Sequence, residues 1–131
     1  MCEGNKTERI YFNRFRKRGN NLQILTPDTK YTDPGNLVDF AIEQKRALDL
    51  NTNTGDRVWC VFDVDENTSK PIDDAVKKAG SNDIGIVLSN PCFEVWYLLH
   101  YCDWTRARNG KEVVKELVAY LPPLLKVRRY L

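Results

Sequence analysis

Asp63 and Asp65 stand two residues apart at the end of an apolar, β-branched and aromatic run, Val58-Trp59-Cys60-Val61-Phe62. Residues so spaced on a strand point to one side. Two carboxylates that close repel unless a proton or cation lies between them. A hard divalent ion with a taste for oxygen, Mg2+ or Mn2+, is the natural guest. Glu66 extends the acidic end and is a further candidate ligand, or an ordinary loop acid. The same pattern has a plainer reading, because Asp also ends strands where the chain turns.

The elements around the pair decide how such residues would be placed. Val58 to Phe62 is apolar at every position, which predicts a strand buried on both faces. Open α/β sheets put their ligands at the carboxyl ends of such strands. Ile84 to Leu88 predicts a second buried strand, and Leu22 to Thr26 a short one stopped by Pro27. Helices are predicted over Thr7–Arg18, Asn36–Leu50, Ser69–Ala79, Cys92–Tyr101 and Lys111–Tyr120, from apolar stripes and end signals. Helix and strand alternate, so parallel strands with right-handed crossovers are expected. Glu3-Gly4, just ahead of a helix, sits where a first strand should have ended, which would put Glu3 at the same edge as Asp63 and Asp65. The strand before it is missing or reduced to Met1-Cys2. The core is expected from Phe62, Val61, Ile86, Leu88, Phe93, Trp96 and Leu99.

Composition narrows the class. The 131 residues are 42% hydrophobic and 29% charged, which suits one domain with a core of its own. No run of 18 apolar residues is long enough to span a bilayer. The first residues carry no apolar signal-peptide core. Cys2, Cys60, Cys92 and Cys102 form no Cys-x-x-Cys pair, which suits reduced thiols in a cytoplasmic protein. With His100 the sole histidine, a zinc site is not expected. Residues 1–18 carry six basic and two acidic side chains, and residues 104–131 seven and two. Residues 33–80 carry ten acids against six bases. Basic ends such as Arg14-Phe15-Arg16-Lys17-Arg18 suit a polyanion, or equally a solvated helix face.

Three segments taken together resemble the RloB-like family: Cys2-Glu3-Gly4-Asn5-Lys6-Thr7-Glu8 followed by Tyr11-Phe12; Val61-Phe62-Asp63-Val64-Asp65-Glu66; and Ser89-Asn90-Pro91-Cys92-Phe93-Glu94-Val95-Trp96-Tyr97-Leu98-Leu99-His100. They occur in the family's order and spacing, and the resemblance runs from residue 2 to about residue 121. The family is similar to the Toprim (topoisomerase–primase) nucleases of bacterial anti-phage systems. The resemblance implies a Rossmann-like Toprim-type α/β sheet, mainly parallel, with helices on both faces. It implies phosphodiester cleavage with Mg2+ or Mn2+, a nucleic-acid substrate and a partner protein of the defence system. Glu3, Asp63 and Asp65 match the acidic motifs, Glu3 as metal ligand or general base. Lys6 would touch a phosphate, or be a solvated loop lysine. Glu94, in a helix's first turn, either serves the helix dipole or joins the site.

The chain departs from the family in two places. Members carry an apolar strand ahead of Cys-Glu-Gly and a further helical region after the Leu-Pro helix end. Residues 1–131 are thus expected to be a single domain, incomplete at both ends, either a fragment or a decayed product, with a nuclease site that is active or an inactive remnant of one. Two other readings compete: a non-catalytic module binding nucleic acid or a partner, and a phosphoacceptor receiver-like domain. The second fits poorly, since Ser89-Asn90-Pro91 stands where a Lys is expected.

Overall fold

The computed structural model describes residues 1–2, 7–27, 33–64, 69–105 and 109–121. Its elements run α1 (Thr7–Asn13), α2 (Pro34–Ala47), a 3-10 turn (Thr52–Thr54), β1 (Val58–Asp63), α3 (Ser69–Gly80), β2 (Ile84–Ser89), α4 (Glu94–Leu98) and α5 (Gly110–Tyr120). The fold is α/β, as expected.

β1 and β2 pair in parallel, with Val58 opposite Ile84 and Asp63 opposite Ser89. On the other side of β1, Cys2 forms a parallel bridge to Val61, and Val61 N–H donates to the Met1 carbonyl at 2.8 Å. Among the described residues β1 thus has a neighbour on each side, β2 and the single bridge at Cys2. Leu22 to Thr26 does not form the expected strand. Cys2 N–H donates to the Leu25 carbonyl at 3.0 Å, a single backbone hydrogen bond between the two segments among the described residues.

Helices cover both faces. Val58, Cys60, Phe62 and Ile84 share a buried cluster with Leu37, Val38 and Ala41 of α2 and Ile72, Ala75 and Ala79 of α3. The strand residues are the alternate ones, as the pleat requires. Asp33 caps α2 through its carboxylate, which accepts from Asn36 N–H at 3.1 Å, and Pro34 follows at N1. The opposite face of the sheet puts Cys2, Val61 and Val87 against Tyr11 and Phe12 of α1 and against Phe93, Trp96 and Tyr97. A third cluster, Leu98 with Val113 and Leu117, docks α5 on α4. Asn109 and Glu112 form a reciprocal capping box that starts α5.

Trp59 is 51% exposed, although the apolar run predicted full burial. Its ring lies over Gly85, the residue opposite it, where an added Cβ would come within 2.3 Å of the indole. Leu88 and Leu99, expected in the core, are also exposed, while Phe62, Val61 and Phe93 are buried and Ile86 and Trp96 half-buried.

Three helices are shorter than their patterns. α1 stops at Asn13, because Asn20 gathers the following turn: its side chain donates to the Phe15 carbonyl at 2.6 Å and accepts from Lys17 N–H at 3.1 Å. Local side-chain bonds of this kind compete with the helix ladder. α2 ends at Ala47, two residues before Asp49 takes a left-handed φ of 52°. α4 spans Glu94–Leu98, and the chain beyond it tightens into turns, with His100 N–H donating to the Tyr97 carbonyl at 3.2 Å.

Candidate metal and phosphodiester site

Of the candidate residues, Asp63 falls at the carboxyl edge of the β1–β2 pair. Asp63 is the last residue of β1, half-buried, with Oδ1 withdrawn from solvent. Ser89, directly opposite, is the last residue of β2 and 2% exposed. Trp96 Nε1–H donates to Ser89 Oγ at 3.0 Å. Val64 N–H donates to the Ser89 carbonyl at 2.9 Å, which carries the ladder one residue past Asp63. Strand register thus fixes where the Asp63 carboxylate starts.

Glu94 approaches from α4. The Thr7 hydroxyl donates to Glu94 Oε1 at 3.5 Å, and Tyr97 O–H donates to the Thr7 carbonyl at 3.2 Å. Those contacts seat the first residue of α1 against α4. Cys92 lies two residues before Glu94 in the chain. Burial pushes its thiol up to about 12, the Glu94 carboxylate adds to this by charge and by accepting its hydrogen bond, and the Asp63 charge adds further. The thiol is therefore neutral near pH 7.

Of the residues singled out in the sequence, Glu3, Lys6, Asp65 and Glu66 lie outside the described residues. Among the described residues no group of three or more His, Cys, Asp or Glu side chains is placed to hold a metal. The donors present there, Asp63 and Glu94, are carboxylates, the hard oxygen type that Mg2+ and Mn2+ take.

Sequence reasoning missed Thr7, Ser89 and Cys92. Sequence patterns gave Thr7 the start of a helix and Cys92 a place among the reduced thiols, and gave Ser89 no role at the site. Their place follows from strand register and from the docking of α1 on α4, neither of which local pattern encodes. His100 Nε2 lies 3.1 Å from Tyr11 Oη, on the outer side of the helix pair.

The three motifs that the sequence carries agree with the comparison against protein families. The family model for RloB-like proteins matches residues 1–131, the whole chain. The chain belongs to the RloB-like family. A search of curated proteins and a search of solved structures each gave no match. In this RloB-like chain no helix among the described residues is long and apolar enough to cross a membrane.

Proposed function

We propose that this RloB-like chain is a Toprim-type, Mg2+- or Mn2+-dependent nuclease domain that cleaves nucleic-acid phosphodiesters in the cytoplasm as part of bacterial anti-phage defence. The observation that carries the reading is the position of Asp63. It ends β1 at the carboxyl edge of the parallel pair, opposite Ser89. Carboxyl edges of parallel strands are where α/β folds hold their ligands.

Each residue has its own part in this reading. Asp63, Asp65 and Glu3 would hold the cation, with Glu66 as a further ligand. Bound there, the cation supplies Lewis acidity and a more acidic water. Glu3, which follows Cys2 in the chain, serves as ligand or as the base that takes the proton from the attacking water. Lys6 neutralises a phosphate oxygen. Thr7 and Tyr97 hold α1 against α4. Ser89 and Trp96 position the floor beneath Asp63.

The test is a cleavage assay on single-stranded RNA, tRNA and duplex DNA, with Mg2+, Mn2+ or EDTA. EDTA-sensitive cleavage, lost in Asp63→Asn and in Glu3→Gln, is the expected result. Cleavage that persists in EDTA would overturn it. The second reading, a module that binds nucleic acid or a partner protein without cutting, draws on the exposed basic turn after α1. Tight binding with no cleavage of any substrate would favour it.

A further inference from the structure

Beyond the carboxyl edge, the paired helices α1 and α4 form a seam of aromatic rings that ends in open solvent. Tyr11 follows Thr7 by one helical turn, about 6 Å along the axis. Its ring packs 5.1 Å from Tyr97 and 5.4 Å from Phe93, centroid to centroid, while its hydroxyl meets His100. Phe15 comes next, 5.4 Å from Tyr11 and 49% exposed. A phenyl ring supported on one side and open on the other is costly as bare surface, and it is the shape that stacks a planar group.

The surroundings say which planar group. Arg14, Arg16, Lys17 and Arg18 flank the ring and are exposed. None of them takes part in an ion pair with the described residues. The turn that carries them is held in shape, with Asn20 bonded to both Phe15 and Lys17 and Gly19 in the left-handed region at φ 102°. Exposed cations on a held turn beside an open ring match a phosphate backbone with unpaired bases: the charges track the strand and the ring takes the base. A duplex keeps its bases stacked inside and offers Phe15 nothing.

We propose that the Tyr11–Phe15–His100 surface and its basic turn bind single-stranded nucleic acid, with one unpaired base stacked on Phe15. The proposal deepens the nuclease reading by naming the form of the substrate, and it rests on that reading only for where the strand leads. Along the seam the strand would run from Phe15 past Tyr11 toward Thr7 and Glu94.

The experiment is fluorescence anisotropy in EDTA, so that it reads binding whether or not the chain cuts. Probes are labelled oligo-U and oligo-dT of about 12 nucleotides, within the usual site-size range, and a duplex of equal length. The expected result is tighter binding of the single strands than of the duplex. Phe15→Leu should weaken single-strand binding about tenfold, and Phe15→Tyr, which keeps the ring, should restore it. The double change Arg14→Gln with Arg16→Gln should lower the slope of log affinity against log salt by about 1.4, roughly 0.7 for each phosphate no longer neutralised. Unchanged binding by Phe15→Leu, or a duplex bound as tightly as the single strands, would overturn the proposal. Loss of cleavage with this binding pattern intact would strike at the nuclease reading instead.

Discussion

Thr7 and Glu94 are 87 positions apart in the chain, yet the Thr7 hydroxyl lies 3.5 Å from Glu94 Oε1. The contact joins the first residue of α1 to the first residue of α4, and so ties α1 to the helix that follows β2. At this length the bond is weak, so its value is positional. A double-mutant cycle with Thr7→Val and Glu94→Gln should give a coupling energy below about 1 kcal/mol in urea unfolding. The same cycle measured on cleavage should show strong non-additivity, because a misplaced helix start shifts every group built on it. Additive losses in cleavage would separate α1 placement from the site.

Metal binding should raise stability by mass action, by about 2.7 kcal/mol at a hundredfold excess over Kd. The check is a thermal melt with and without Mg2+ or Mn2+. Asp63→Asn combined with Asp65→Asn should abolish the shift. It should also raise the melting point of the metal-free protein, since repulsion between the acids is relieved. A full metal-dependent shift in the double variant would place the cation elsewhere.

The neighbouring residues Leu98 and Leu99 offer a direct test of the packing. Leu98 is fully buried against Val113 and Leu117, whereas Leu99 is 47% exposed. Leu98→Ala should cost about 2–5 kcal/mol in urea unfolding. Leu99→Ala should stay within about 0.5 kcal/mol. Similar losses from both would contradict the way α4 turns its face to α5.

Alkaline pH should loosen the fold through Cys60. Burial raises its thiol from the ordinary 9.0 to about 11, against the opposing pull of the N-terminal ammonium. The folded chain thus keeps a proton that the unfolded chain has already released. Above pH 9 the unfolded state binds fewer protons, so stability falls as pH rises, through the window from about 9 to about 11. Cys60→Ala should be less stable at neutral pH, because it leaves a cavity, but its alkaline slope should be flatter. Urea midpoints followed across that window would show it, and parallel curves for the two proteins would rule the thiol out.

The local chemistry of this chain was legible from its sequence. The apolar run Val58–Phe62 ending on Asp63, the run Ile84–Leu88, Asp33-Pro34 before an apolar stripe, and Ser69-Lys70-Pro71 before another each named an element, because each signal acts within a few residues. The motif order was enough to name the family. Tertiary structure decided the rest. Trp59 is exposed because Gly85 opposite it leaves room for the indole to lie across the strand. The Leu22–Thr26 run has strand-like residues, but a strand needs a ladder, and its link to Cys2 is one backbone bond. Asp63 was recognisable as a candidate on its own. Its pairing with Ser89 and the contact of Thr7 with Glu94 were not, because parallel register and the docking of α1 on α4 bring together residues that are far apart along the chain.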